Sequence, residues 1–349
     1  MTEVLIDWAW FAGKALVAVG ILMTIAPLLT LAERRVSAFI QGRYGPNRVG
    51  PFGSLQPVAD LIKGVMKEEI VPEKAERFLF TIAPVLVFIP PAFGFAIIPF
   101  GNAIGEHQLQ VVDLNVGVMF IMAVLSVGVY GITLGGWASA NKYALLGSLR
   151  AAAQLISYEL SMGLTILLVI MMAGSVDPKE IVWHQIHEGW NIFGGSSWWA
   201  LPSGLVGFTM LYICALAENN RLPFDLAECE AELVGGYHTE YAGMSFLWWL
   251  FAEYVAMILS ASLITTLFLG GWDIPFIHIE EQPTVIGAVL SMASFLTKIT
   301  CLLITYIWIR WTLPRFKYNQ LMDLGWKGFL PTALVNIAVM AIVGVFLGG

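Results

Sequence analysis

Eight long apolar stretches constrain this chain more than any other feature. An α-helix needs about 20 predominantly apolar residues to cross the hydrocarbon core of a bilayer. The stretches that reach this length are residues 10–31, 78–100, 116–138, 151–173, 201–217, 246–269, 285–309 and 329–347. Because backbone groups inside hydrocarbon must be hydrogen-bonded internally, such stretches form helices. We predict an all-α, polytopic integral membrane protein of about eight transmembrane helices, with residues 1–349 as a single membrane domain.

The composition agrees with lipid as the main solvent. Hydrophobic residues make up 58% of the chain and charged residues only 12%, whereas a soluble domain carries about a quarter charged residues. The three cysteines are Cys214, Cys229 and Cys301, and they form no CxxC pair. This spacing argues against an iron–sulfur or structural zinc site within the chain.

The basic residues are concentrated in alternate connectors. Residues 33–77, 139–150, 218–241 and 310–327 together hold fifteen of the eighteen lysines and arginines. Basic loops stay on the cytoplasmic side of a membrane. An even number of spans then places both termini on the opposite side.

Two carboxylates lie deep within predicted spans. Glu159 falls in the middle of the fourth span and Glu253 in the sixth. A charged side chain at the centre of a helix costs on the order of 3 kcal/mol to insert. We favour a proton relay or ion path for both acids. The structural alternative is an ion pair with Lys14 or Lys298.

A dense acidic cluster follows the fifth span, in a predicted acidic cytoplasmic loop at residues 218–241. Its acids are Glu218, Asp225, Glu228, Glu230, Glu232 and Glu240. Asp225 and Glu228 have the spacing of a helix capping box, which is a structural explanation for these two. Glu232 lies one helical turn beyond Glu228. Because neighbouring like charges raise one another's pKa, such a row can hold protons near neutral pH. Cation binding is the competing use.

The first basic connector, residues 33–77, divides into two parts. Glycine and proline recur in residues 42–53, which predicts turns. The apolar residues that follow recur at helical spacing; they are Leu55, Val58, Leu61, Ile62, Val65 and Met66. This pattern predicts an amphipathic helix at the membrane interface. It serves either as a surface connector or as the wall of a portal for a lipid-soluble ligand.

A pair of glycines in the third span, Gly131 and Gly135, has the GxxxG spacing that allows two helices to approach closely. We predict a helix-packing surface there. No internal repeat of the kind that builds many secondary transporters is visible in the sequence.

Four separated motifs resemble one family. They are ERR (33–35) with QGRYGPNRVG (41–50) and QPVAD (56–60); RAAAQLISYE (150–159); AENNRLPFD (217–225) with ECEAELV (228–234); and PRFKYNQLM (314–322). In this order they closely resemble the membrane-embedded H subunit of respiratory NADH:quinone oxidoreductase, or complex I, called subunit 1 in mitochondria. The resemblance covers essentially the whole chain.

The resemblance implies specific site residues. Arg34 and Asp60 would line the quinone path, and residues 33–77 would form the cytoplasmic quinone portal. The proton relay would consist of Glu159, Glu218, Glu228, Glu232 and Glu253. The chain would help to form the quinone chamber, dock the hydrophilic arm, and pass the energy of quinone reduction to antiporter-like subunits.

The resemblance also implies cofactors, partners and location. The quinone, expected to be ubiquinone, would be shared with the hydrophilic arm, and this chain would bind no flavin or iron–sulfur cluster. Its partners would be hydrophilic-arm subunits B and D at the cytoplasmic loops, membrane subunits A and J, and membrane lipid, with no nucleic acid. We expect the bacterial cell inner membrane, with periplasmic termini, in preference to the mitochondrial inner membrane.

Two other functions stay open. A homologous subunit of a membrane-bound hydrogenase or another donor-linked dehydrogenase would use the same fold with a different electron donor. A stand-alone ion transporter would use the same acids without partners, and would be expected to carry inverted repeats and broken helices.

Overall fold

Long α-helices make up most of the computed structural model, which describes residues 2–104, 107–195, 197–227, 234–274 and 285–347. The helices are α1 (Thr2–Ile40), α2 (Gln56–Met66), α3 (Arg77–Ile97), α4 (Gly117–Ala138), α5 (Lys142–Ala173), α6 (Pro178–Glu188), α7 (Leu201–Glu218), α8 (Gly243–Phe268), α9 (Val285–Thr312), α10 (Tyr318–Asp323) and α11 (Leu330–Leu347). A π-helical segment, Leu324–Phe329, joins α10 to α11. Short 3-10 turns lie at Pro51–Gly53, Asn191–Phe193, Trp198–Ala200 and Gly236–His238. Strands β1 (Gly101–Ile104) and β2 (His107–Leu109) pair in antiparallel register, with Gly101 opposite Leu109.

The prediction of eight membrane spans is confirmed. Within the described residues, eight helices are long and apolar enough to cross a membrane. Several continue well beyond the apolar stretches that predict them. The first span continues to Ile40, the fourth begins at Lys142, and the last begins at Tyr318.

The alternating connectors lie at opposite ends of the helical bundle. At one end, the Glu76 N–H donates to the Ala138 carbonyl at 3.2 Å, and the Phe316 N–H donates to the Pro223 carbonyl at 3.2 Å. We call this end, which carries the four basic connectors, the basic face. The opposite end carries the β-hairpin and α6, and we call it the hairpin face.

Helix α8 is the centre of the bundle. Among the 18 consecutive residues of α8 that are most apolar, 72% are buried, which is the largest share among the eight spans. It packs against α3, α9, α2, α1, α7 and α6. A helix that is apolar on every side, with neighbours all round, is typical of the interior of a bundle.

Glycines allow α4 to pack closely on its neighbours. A Cβ atom at Gly131 would lie 2.5 Å from Val87 Cγ2 of α3, and one at Gly135 would lie 2.8 Å from the Trp249 ring of α8. No real Cβ atom tolerates such distances, so the helix axes approach closely because these side chains are absent. The predicted GxxxG packing surface is therefore confirmed.

Helix α2 lies against α8 at the basic face and confirms the predicted amphipathic helix. Gly64 is the contact point, since a Cβ atom there would overlap the Leu247 side chain. The opposite face of α2 exposes apolar side chains, among them Val58, Ile62, Val65 and Met66. The preceding segment forms turns, as predicted, with Gly42, Gly50 and Gly53 in left-handed backbone conformations.

Candidate functional site

Four segments meet at the basic face in a cluster of charged and aromatic side chains, which we call the Arg221 cluster. It comprises Glu33 of α1, Arg221 of the segment after α7, Glu253 and Tyr254 of α8, and Arg310 of α9. The Arg221 Nη1 atom lies 2.9 Å from Glu33 Oε1 and 3.1 Å from Oε2. The Tyr254 hydroxyl donates to Glu33 Oε2 at 2.8 Å. Arg310 also pairs with Glu33, and the Arg221 Nε atom pairs with Glu253.

The charges of the cluster balance in a largely buried environment. Arg221 and Glu33 are each 6% exposed. Burial alone would lower the pKa of the Arg221 guanidinium, but Glu253 and Glu33 raise it above its ordinary value. Arg221 therefore remains a fixed cation. Its guanidinium also stacks over the Tyr254 ring, 4.8 Å from the centroid, which adds a cation–π contribution.

The two residues predicted to line the quinone path are in contact beside this cluster. Arg34 Nη1 lies 2.6 Å from Asp60 Oδ2, and Gln56 Nε2 donates to Asp60 Oδ1 at 2.9 Å. Arg34 follows Glu33 directly in α1, whereas Asp60 belongs to α2. The pair thus links the amphipathic helix to the first span, next to the Arg221 cluster.

An internal cavity of about 80 Å³ lies between α3, α4, α5, α7 and α8. Its polar lining includes Glu218, Asn219, Asn220, Glu253 and Ser260. One water molecule needs about 10–15 Å³ of cavity volume, so a cavity of this size has room for roughly five waters. Glu253 therefore belongs both to this cavity and to the Arg221 cluster.

Glu218 and Glu159 are both associated with the interior of the bundle. One carboxylate oxygen of Glu218, Oε2, is buried and has no hydrogen-bond partner among the described residues. Glu159 of α5 accepts a hydrogen bond from Ser126 of α4. It lies close enough to Glu218 for their charges to interact. Three of the five predicted relay acids are thus placed in or near one polar interior region.

The other two relay acids, Glu228 and Glu232, lie outside the described residues, as does the rest of the segment 228–233. Asp225, next to this segment, pairs with Arg315 at 2.8 Å. Burial raises the pKa of Asp225, although the Arg315 guanidinium opposes the shift. Glu240 accepts a hydrogen bond from Asn141 Nδ2 at 2.6 Å. Both contacts join the acidic connector to neighbouring parts of the basic face.

Sequence reasoning did not assign Glu33, Arg221, Arg310 or Tyr254 to the site. The three charged residues belong, by sequence, to basic or motif-bearing connectors. One signal was present in the sequence: Glu33 and Arg310 each follow an apolar stretch directly or within two residues. Helical continuation of those stretches would have placed both residues on helices rather than in loops.

Known proteins resemble this chain over nearly its full length. A family model described as NADH dehydrogenase matches residues 13–341. The NADH-quinone oxidoreductase H subunit of Cytophaga hutchinsonii that is numbered 1 is 47% identical over 323 residues, which cover 91% of each chain. NADH-quinone oxidoreductase subunit 8 of Rhodothermus marinus is 46% identical over 339 residues, covering 95% of this chain and 96% of the relative. The NADH-quinone oxidoreductase H subunit of Salinibacter ruber is 45% identical over 349 residues, covering 97% of each. The matched range includes every residue of the Arg221 cluster.

Proposed function

Because the chain belongs to the NADH dehydrogenase family and is the H-type membrane component of NADH:quinone oxidoreductase, we propose that it shapes the quinone chamber of that enzyme. We further propose that it relays the energy of quinone reduction toward the antiporter-like subunits.

One observation carries this proposal. Arg221 is ion-paired with Glu33 on one side and with Glu253 on the other. Glu33 adjoins the Arg34–Asp60 pair on the proposed quinone path, and Glu253 lines the internal cavity together with Glu218. A series of ion pairs from Glu33 through Arg221 to Glu253 thus reaches the cavity, and Arg34, the residue after Glu33 in α1, pairs with Asp60 of the portal helix α2.

Electrostatics gives this series a mechanism. Quinone reduction near the basic face would change charge or proton occupancy beside Arg34 and Asp60. Two unit charges 4 Å apart interact by about 4 kcal/mol at an effective dielectric constant of about 20. A shift of one pKa unit corresponds to about 1.4 kcal/mol. A change in charge near Glu33 is therefore large enough to alter which carboxylate holds a proton, and coupled carboxylates would pass the change inward.

The remaining assignments follow the same scheme. Residues 33–77 and 218–241 would be the portal and acidic loops of one membrane domain. Ubiquinone would enter past the exposed apolar side chains of α2, and the hydrophilic-arm subunits B and D would dock on the basic face. Membrane subunits A and J would contact the spans. The redox groups would belong to other subunits, and the membrane would be a bacterial inner membrane with both termini in the periplasm.

Substitution of the cavity acids tests the relay. Glu218→Gln and Glu253→Gln, each introduced in the native complex, should lower quinone-coupled proton pumping by about tenfold or more, because proton transfer by a positioned group contributes at least this much. Reduction of an artificial acceptor by the hydrophilic arm should be unchanged. Membrane vesicles report both activities, from a pH-sensitive dye and from NADH oxidation.

The matched control is Asp323→Asn, which removes a carboxylate from an exposed ion pair with Lys327. It should leave pumping unaltered. Glu228→Gln and Glu232→Gln extend the test to the acids outside the described residues. Wild-type pumping rate and stoichiometry in all four acid variants would show that these residues form no relay.

Gentle purification from the native membrane distinguishes this function from its two rivals. Co-purification with flavin and iron–sulfur absorbance, and with inhibitor-sensitive NADH:quinone activity, supports the proposal. Co-purification with a different electron-donor module would indicate a hydrogenase-type or other donor-linked complex. Isolation of the chain alone, with ion transport in liposomes, would indicate a transporter.

A further inference from the structure

The internal cavity extends a long way along α8 toward the hairpin face. On α8 its lining runs from Trp249 to Ile264, which is about 22 Å along the helix axis. At the hairpin face itself lies a separate pocket of about 270 Å³, whose lining includes Trp272. Trp272 follows shortly after Ile264 in the chain. The end of α8 therefore lies between two spaces that have room for water.

Apolar side chains fill the last turn of α8. Leu267 and Phe268 have no exposed surface. Helix α7 closes against them at Gly207, where a Cβ atom would lie 2.9 Å from the Leu168 side chain of α5 and 3.1 Å from the Phe268 ring. The Phe208 ring also packs against Phe268, with centroids 6.0 Å apart. Because an interior water needs polar partners, such apolar packing stays dry.

The polar groups of these turns are already used within the protein. Three hydroxyl groups of α8 donate to carbonyls of its preceding turn; they belong to Ser262, Thr265 and Thr266. The last carbonyls of a helix have no partner within the helix. Here the Thr266 carbonyl accepts from Gln185 Nε2 at 2.7 Å, and the Leu267 carbonyl accepts from Asn191 Nδ2 at 2.8 Å. Side chains from α6 and from the turn that follows it thus take the place of water.

Lys298 of α9 supplies the donors for the carbonyls just beyond α8. Its Nζ atom donates to the carbonyls of Leu269 at 2.7 Å, Gly271 at 3.0 Å and Asp273 at 2.7 Å, which uses all three N–H donors of an ammonium. The Asp273 carbonyl also accepts from the Ser294 hydroxyl. Without Lys298, the carbonyls of Leu269 and Gly271 would lose the donor that the described residues give them. Buried acceptors without a partner favour the binding of water.

We propose that the end of α8 is a proton seal, which closes the internal cavity toward the hairpin face. Leu267 and Phe268 exclude water, and Lys298 is a positioning residue that occupies the carbonyls where water would otherwise be ordered. A hydrophobic constriction blocks conduction by excluding water. Protons that reach the cavity from the basic face therefore do not leak out through this end. The inference rests on the proposed function in one respect, that the cavity is part of a proton path.

Passive proton leak tests the seal without enzyme turnover. The intact complex is reconstituted in liposomes, a potassium diffusion potential is imposed with valinomycin in the absence of NADH, and an internal pH-sensitive dye reports proton entry. Lys298→Met keeps the length of the side chain and removes its donors. We expect it to raise the leak per complex at least about tenfold, a factor that corresponds to about 1.4 kcal/mol and to roughly one or two net hydrogen bonds to a newly bound water.

Lys14→Met is the matched control. Lys14 also lies on a span, but it donates to a single carbonyl, that of Gln110, at 2.9 Å, and it does not line the cavity. This variant should leave the leak at the wild-type level. Acceptor reduction by the hydrophilic arm and migration on native gels should be unchanged in both variants, which shows that the leak comes from intact complexes.

The seal and the relay fail in different ways. A raised leak in Lys298→Met together with wild-type pumping in Glu218→Gln would support the seal and refute the relay acid. An unchanged leak in Lys298→Met together with impaired pumping in Glu218→Gln would overturn the seal and leave the relay standing.

Radiolytic footprinting of the wild-type complex needs no variant. Hydroxyl radicals formed from bound water oxidise the side chains beside that water. Relative to intrinsic reactivity, we expect oxidation at Met162 and Trp249, which line the cavity, and none at Phe268. Oxidation of Phe268 to the level of Trp249 would overturn the proposal, as would equal leaks in intact complexes of Lys298→Met and Lys14→Met.

Discussion

Arg221 forms ion pairs with two carboxylates on different helices, Glu33 of α1 and Glu253 of α8. Replacing Arg221 should therefore show how much these ion pairs contribute to the stability of the complex. Removing one partner of a buried ion pair costs about 3–5 kcal/mol, because a charge is left uncompensated. In Arg221→Gln, Glu33 keeps its contacts with Arg310 and Tyr254. Glu253 also interacts electrostatically with His238, so we expect a total at the lower end of this range, about 3 kcal/mol.

A second substitution measures the part of this cost that belongs to the pair. Glu253→Gln removes the charge that Arg221→Gln leaves behind. The double variant should therefore be more stable than the sum of the single effects predicts, by about 2 kcal/mol. Such a difference is a factor of roughly 30 in an equilibrium ratio.

Large membrane complexes unfold irreversibly. This double-mutant cycle, which compares the two single variants with the double variant, is therefore best measured as a rate of thermal disassembly. The purified complex is held at one elevated temperature, and loss of the intact assembly is followed on native gels for wild type, both single variants and the double variant. A parallel cycle with Asp323→Asn and Lys327→Gln, an exposed pair, should show a coupling below about 1 kcal/mol. Strictly additive effects of Arg221→Gln and Glu253→Gln would refute the pairing and its role in linking α8 to α1.

Three further predictions test the packing and the pH response. Gly131→Leu should destabilise the complex by about 1–3 kcal/mol through overpacking against α3, whereas Gly20→Leu, at an exposed position of α1 with no atom within 4 Å, should have little effect on the rate of thermal disassembly. Gly64→Ala should displace α2 from α8 and raise the KM for quinone, with acceptor reduction by the hydrophilic arm unchanged; Leu247→Ala should restore the KM, and an unchanged KM in the single variant would contradict the contact. Burial lowers the pKa of His238, so the unfolded chain binds more protons there than the folded one and stability falls as the pH drops below about 6.5. His238→Gln should therefore weaken the acceleration of thermal disassembly between about pH 7.5 and pH 5.5, and an identical acceleration in the variant would count against this assignment.

Hydropathy located all eight spans because the thickness of the hydrocarbon core sets the length of an apolar stretch. It misplaced several helix ends because it reports only the part of a helix that lies in hydrocarbon. Helical hydrogen bonding does not stop where lipid stops, so α1 continues through Arg34 to Ile40 and α5 begins at Lys142. The start of the last span was missed by eleven residues, since the polar α10 and the π-helical segment carry too little apolar character.

The same error hid part of the site. With the first span ending at residue 31 and the seventh at residue 309, Glu33 and Arg310 looked like loop charges. In the structure both lie on helices and contact each other. Glu159 and Glu253 were found because a carboxylate within an apolar stretch is conspicuous. Their role as a relay, and that of Arg34 and Asp60 on the quinone path, stay predictions.

The central position of α8 has a consequence for how the protein is made. Five spans leave the ribosome before α8 does, and the buried surfaces of α1, α3 and α7 that contact it have no partner until then. The acids and arginines near those surfaces must meanwhile be kept from lipid. We therefore expect the insertion machinery to retain the nascent chain until residue 268 has emerged, so that the bundle closes in one late step around its sixth span.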